Sequence, residues 1–264
     1  MTGRVPPRRV GPASALRQAI CLAGRGILLL RKSPEQLVDV TFQPMLLLVA
    51  FGYLFGGAMA GSPRAYLRLL VPGLMVLSAV MASVGTGIGL NTDVTTGVFD
   101  RFRSMPIARS APLLGAVLAD LVRYLVMFGA VLATGLAMGF RLHAQPSAIV
   151  AAAVLIVGTG TCFCWITVFV GMLVSHPDAV RGIAVTFVLP LTFASDVFAP
   201  VSTMPGWLRA WCRINPVSLL TNAVRALLDG GPVAGPLLGG LAWLAGVVVV
   251  FVPLAMAAYR RRVG

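Results

Sequence analysis

Six long apolar runs limit what this chain can fold into. They lie at about 37–58, 67–90, 113–140, 148–174, 182–199 and 236–259, each near the roughly 20 residues that a helix needs to cross a bilayer core. A soluble globule must keep its exterior wetted, and it carries roughly 25% charged residues. Here 58% of 264 residues are hydrophobic and 11% are charged, with a mean hydropathy of +0.91. Lipid offers no partner to an unpaired backbone N–H or C=O, so a spanning segment is a helix or a strand of a closed barrel. The alternating ten-residue pattern of a barrel is absent. The sequence therefore predicts an all-α integral membrane protein with six transmembrane helices.

The net charge of +13 would suggest nucleic acid in a soluble protein. No soluble domain is present to carry a basic patch, and the sequence predicts no nucleic-acid partner. The charge instead reports topology. Of the 21 Lys and Arg, fourteen fall on the termini and the second and fourth loops. Six fall on the other side (Arg64, Arg68, Arg141, Arg209, Arg213 and Arg225), and Arg123 lies within a span. Positive charge favours the cytoplasmic side, which predicts a multi-pass protein of the cytoplasmic membrane with both termini in the cytoplasm. Cys21, Cys162, Cys164 and Cys212 form no CxxC pair or disulfide ladder, and His143 and His176 stand alone, so no metal site is expected. A GxxxxGK[ST] phosphate loop is missing: the single lysine, Lys32, follows an arginine. If ATP drives this chain, another chain binds it. A cleavable signal peptide is not expected either, because the apolar stretch from Gln18 to Leu30 is interrupted by Arg25.

Two parts are expected. Residues 1–36 form a basic tail and an interfacial helix; residues 37–264 form the six-helix transmembrane domain, with a loop at 91–112 and an outer loop with short helices at 200–235. Between 13 and 32, Arg17, Gln18, Arg25 and Lys32 cluster on one helical face, and Leu16, Ile20, Ala23, Ile27 and Leu30 on the other. That pattern suits a helix lying on the membrane; a disordered basic tail is the simpler alternative. Ser33-Pro34-Glu35-Gln36 is a helix start, with a capping residue followed by a proline.

Three segments carry chemistry. The 91–112 loop contains Gly97, Val98, Phe99, Asp100, Arg101, Phe102, Arg103, Met105 and Pro106. Asp93 or Thr95 can cap a short amphipathic helix there, and Pro106 stops it. Such a helix either floats at the interface or docks into a groove on a soluble partner. Asp120 and Arg123 stand three apart, neighbours on one helix face near the start of the third span. As a pair, each lowers the cost of the other's charge in lipid. The pair either sets helix depth or acts as a hinge transmitting motion from the loop. From Pro190 onward the chain is unusual for a loop. Asp196, Pro200 and Pro205 precede Trp207 and Trp211, four apart on one face, and Asn215-Pro216 starts a further short helix through Arg225. This reads as a span that ends early and turns back at the outer leaflet, or as a plain amphipathic surface helix.

These residues resemble ABC-2 type permease subunits, especially those of the daunorubicin/doxorubicin-resistance exporter type. The likeness rests on Asp93-x-x-x-Gly97-x-x-Asp100-Arg101-Phe102-Arg103-Ser104-Met105-Pro106-Ile107-x-Arg109, then Gly115 and Asp120-x-x-Arg123. It continues through Phe198-x-Pro200-x-x-x-Met204-Pro205-Gly206-Trp207, Asn215-Pro216 and Ala223-x-Arg225. Many relatives, notably glycan and lipid exporters, open the loop motif with a Glu-rich pair; Asp93 stands nearly alone here, which favours the drug-exporter branch. The resemblance implies two permease subunits, as a homo- or heterodimer, each engaging a cytoplasmic ABC ATPase. Residues 97–106 then correspond to the coupling helix in the ATPase cleft, and the N-terminal amphipathic helix to the connecting helix. ATP and Mg would bind in the partner, leaving this chain without a cofactor or a catalytic residue.

The expected cargo is a small amphipathic molecule moving outward. Spans two and five carry weakly polar residues, Ser78, Ser83, Thr86, Thr186, Thr192 and Ser195; these suit such a guest, or serve as ordinary helix contacts. The alternatives are a lipid or polysaccharide exporter permease and an ATP-independent carrier. The carrier reading lacks an intramembrane carboxylate relay or a repeat of two broken helices.

Overall fold

The structure is a computed structural model that describes residues 34–97 and 111–263. The helix expected at 13–32 lies outside these residues, as do Phe99, Asp100, Arg101, Phe102, Arg103 and Pro106. The described chain runs α1 (Pro34–Ala60), α2 (Pro63–Thr95), α3 (Ala111–Ala137), α4 (Pro146–Leu173) and α5 (Pro177–Phe193). A 3-10 turn (Val201–Thr203), α6 (Gly206–Cys212), α7 (Pro216–Asp229) and α8 (Ala234–Val263) follow. Four of the long helices, α1, α2, α4 and α5, begin at a proline, whose missing N–H would have had no partner in a first turn.

Among the described residues five helices, α1, α2, α3, α4 and α8, are long and apolar enough to cross a membrane. The helix at the expected fifth span, α5, has 17 residues, about 26 Å of helix. It is also displaced from the expected 182–199. It starts at Pro177, because Asp178 in a first turn favours the positive end of the helix dipole; apolar periodicity alone treats that turn as a link. It stops at Phe193, three residues after Pro190.

The 91–112 loop is likewise shorter than expected. α2 continues through Thr95, so Asp93 and Thr95 lie inside it. Thr92 and Thr95 donate their hydroxyls to carbonyls of the preceding turn, at 3.0 Å to Ile88 and 3.1 Å to Asn91. These bonds let polar residues continue a helix past its apolar run. The 33 residues of α2 span about 50 Å, well beyond a hydrocarbon core of about 30 Å. Thr96 closes the helix, and Gly97 turns the chain with a φ of +72°.

α2 is the centre of the bundle. It packs against α1, α3, α4, α5 and α7, and most of its length is buried. α1 and α8 instead turn most of their residues outward, including Phe42, Leu54, Trp243 and Val249. Helices in lipid are held by close fit rather than by escape from water, and glycines supply that fit. A Cβ at Gly171 would stand 2.5 Å from the Gly87 carbonyl oxygen, and one at Gly73 would stand 3.0 Å from the Val197 backbone.

The bundle has two ends. The loop end carries the C-terminus of α2, the start of α3 and the C-terminus of α8. There the last carbonyls of α4 are capped from two sides. Asn91 donates its amide to Gly171 and Val174, both at 2.7 Å, and Arg262 donates to Gly171 at 2.9 Å. The far end carries the start of α2, the end of α5, and α6 and α7.

Candidate functional site

Two polar assemblies interrupt the apolar interior, one toward each end. Toward the loop end, Arg123 Nη1 lies 3.1 Å from Asp120 Oδ1 on α3. The hydroxyl of Thr86 on α2 donates to the other oxygen of the same carboxylate. Asp120 is buried and Arg123 nearly so. Tyr124, the next residue on α3, is fully buried, and its ring fills the space a Cβ at Gly160 would need. One turn further, Thr167 on α4 donates to the Ser83 carbonyl at 2.7 Å. This polar seam joins α2 to α3 and α2 to α4. Its position matters: α2 and α3 are the two helices that flank residues 98–110. Gly97 is the one residue of the expected coupling segment within the described chain, and it lies at the exit of α2.

At the far end, Arg225 on α7 gathers four acceptors. It donates to Asp196 Oδ2 at 3.2 Å, Asn222 Oδ1 at 2.6 Å and the carbonyls of Asp196 and Leu69 at 3.3 Å. One guanidinium thus joins α7, the segment after α5, and α2. Asp196 is almost wholly buried, and pairing with Arg225 lowers the cost of a charge there. The Asp196 N–H donates to Ser218 at 3.4 Å, and the Tyr66 hydroxyl donates to the Phe198 carbonyl at 2.9 Å.

Asn215 works in two directions. Its Oδ1 accepts from the Val217 N–H at 2.9 Å, capping α7, with Pro216 at the first helical position. Its amide donates to Leu191 and Ala194 at 2.8 and 3.0 Å, closing the end of α5. Pro200 opens the 3-10 turn and Pro205 caps α6. Trp207 and Trp211 point outward from α6. Cys212 is buried on the same helix, and burial pushes its thiol pKa up, which makes it a packing group. Replacing Asn215 by alanine removes a cap and two carbonyl partners together. We expect a loss of about 2 kcal/mol, read as a lower thermal midpoint of the purified protein. Asn215→Asp, which keeps only the cap, should fall in between.

The sequence marks Asp120 with Arg123 by their spacing, but not the third partner, Thr86, which is 34 residues away. Asp196 and Arg225 are each conspicuous in the sequence; their pairing across 29 residues is not. Ser83, Thr186 and Thr192 donate their hydroxyls to carbonyls of their own helices, and Thr86 to Asp120. All but Thr186 are buried.

A bundle of several bilayer-length apolar helices, with the buried Asp120 and Asp196 each paired to an arginine, is a multi-pass membrane protein. The chain belongs to the ABC-2 type transporter family, whose model matches residues 17–228; it is an export permease of that family. It is 38% identical to the daunorubicin resistance ABC transporter permease protein DrrB1 of Streptomyces coeruleorubidus. That match covers 256 residues, 96% of this chain and 90% of the relative. A probable doxorubicin resistance ABC transporter permease protein, DrrC of Mycobacterium tuberculosis, is 29% identical over 222 residues, 83% of this chain and 79% of that one. A putative transport permease of Cyanophora paradoxa, ycf38, is 28% identical over 222 residues, 80% and 74% of the two chains.

Proposed function

We propose that this chain is the membrane subunit of a drug exporter, moving an amphipathic small molecule outward across the cytoplasmic membrane. The observation that carries this reading is the 38% identity, over 96% of the chain, to a daunorubicin resistance permease. A separate cytoplasmic ABC ATPase supplies the energy, binding the ATP and Mg that this sequence has no loop to hold. Two permease subunits, identical or related, form the pathway, and both termini lie in the cytoplasm.

Gly97, Phe99, Asp100, Arg101, Phe102, Arg103 and Pro106 form the contact with the ATPase. Because Thr86 ties to Asp120, α2 and α3 receive a push on the intervening loop together. α2 touches most of the bundle, so displacing it repacks the whole. ATP can bias such a bundle only through contacts that differ between its two states.

The test is co-purification in mild detergent. A stoichiometric ATPase should accompany the wild-type chain. Changing Asp100, Arg101 and Phe102 to alanine together should abolish that association and export, while membrane insertion and thermal midpoint stay unchanged. Normal export by this variant would overturn the coupling assignment.

A further inference from the structure

Beside the Arg225 cluster, the far end holds a cavity of about 550 Å³ between α6, α7 and the start of α8. Leu219, Ala226 and Pro236 give it an apolar wall, and Arg209, Arg213 and Arg225 supply cationic groups. The three arginines are not equivalent. Arg225 is neutralised by Asp196 at 3.2 Å. Arg209 reaches only the carbonyls of Ser202 and Met204, at 3.4 and 3.1 Å. Arg213 stands exposed at the C-terminal cap of α6. Neither Arg209 nor Arg213 forms an ion pair among the described residues. The one carboxylate on the wall, Asp229, faces His143 at 3.9 Å. The cavity therefore keeps a positive excess in an otherwise apolar cleft.

Its depth in the membrane is marked by tryptophan. Trp207 and Trp211 project from the helix that carries Arg209, and Trp243 on α8 is also exposed while its ring N–H donates to the Ile214 carbonyl at 2.9 Å. Indole rings with one wet and one apolar side settle at the headgroup level. Unpaired guanidiniums at that level meet phosphate, for which their planar donor fork is suited.

We propose that this cavity binds the phosphodiester headgroup of an anionic membrane phospholipid, with Arg209 and Arg213 on the phosphate and the Leu219–Pro236 wall against the glycerol and upper acyl region. None of its lining residues belongs to the 97–106 segment, and it stands whether or not the exported molecule is a drug. Basic pockets between transmembrane helices hold anionic headgroups on the cytoplasmic side; this cleft offers guanidiniums with apolar cover at the opposite end.

The experiment uses the delipidated full-length chain, titrated with brominated phosphatidylglycerol or brominated phosphatidylcholine in mixed micelles, with tryptophan quenching as the readout. Wild type should take phosphatidylglycerol about tenfold more tightly than phosphatidylcholine. Arg209→Gln with Arg213→Gln should remove that preference, and Arg209→Lys with Arg213→Lys should restore much of it. Arg260→Gln with Arg261→Gln removes the same charge from exposed residues at the loop end, and should leave the preference intact. Retained preference in the first variant would overturn the site. So would equal binding of the two lipids by wild type. Displacement of phosphatidylglycerol by inorganic phosphate at millimolar concentration would overturn the lipid assignment in favour of a soluble anion.

Discussion

Replacing Gly87 by alanine should lower the stability of this protein by about 3 kcal/mol or more, although the change adds a single methyl group. A Cβ at Gly87 would meet the Thr167 backbone, with its carbonyl carbon 2.7 Å away, and a Cβ at Gly171 would meet the Gly87 carbonyl in turn. Two backbones are therefore in contact with no side chain between them to move aside. Separating α2 from α4 would also strain the Thr167–Ser83 hydrogen bond at 2.7 Å and the Asn91 caps on α4. α2 is held by four other helices as well, so it cannot shift toward one without losing fit to another. Overpacking of a fixed core costs about 1–3 kcal/mol; backbone against backbone belongs at or above the top of that range. Gly89, two residues on, has nothing within 4 Å of its Cβ direction. Alanine there should be neutral or slightly stabilising, since glycine is the weaker helix former by about 1 kcal/mol. Monodisperse yield and thermal midpoint in detergent separate the two variants. A Gly87→Ala protein as stable as wild type would mean that α2 and α4 do not approach this closely.

The contrast between Gly87 and Gly89 also shows where sequence reading stops. Both glycines sit in one apolar helical run, and spacing alone makes them equal. What distinguishes them is a helix 80 residues away. Features set by neighbours in the chain were legible: the proline-led helix starts, the Asn215-Pro216 start of α7 and the three-residue step from Asp120 to Arg123. Boundaries failed where a polar residue found a partner that apolar periodicity ignores. α2 runs on to Thr95 because hydroxyls bond back along it, and α5 begins at Pro177 because Asp178 favours a first turn. The long-range partners, Thr86 with Asp120 and Asp196 with Arg225, have no local signature, since only the packed bundle brings them together.

The second large effect should come from Arg123, and its sign pattern is the informative part. Arg123→Leu leaves the Asp120 carboxylate buried with the Thr86 hydroxyl as its remaining donor among the contacts described above. Breaking a buried pair by removing one partner costs about 3–5 kcal/mol, whereas replacing both by apolar residues is often close to neutral. The double variant Asp120→Leu/Arg123→Leu should therefore fold better than Arg123→Leu alone, with a coupling energy of about 2 kcal/mol or more in the cycle. Thr86→Val should cost less than Arg123→Leu, about 1–2 kcal/mol, as one hydrogen bond to a charged group is lost. Equal destabilisation by the single and double variants would show that the two charges do not act as a unit. Export by the double variant then addresses the role of the pair. If Asp120 and Arg123 only set the depth of α3, a well-folded double variant should still export. If the seam carries motion from the 98–110 loop into α2 and α3, that variant should bind its ATPase and insert normally yet export poorly, because the two helices flanking the loop would no longer move as one.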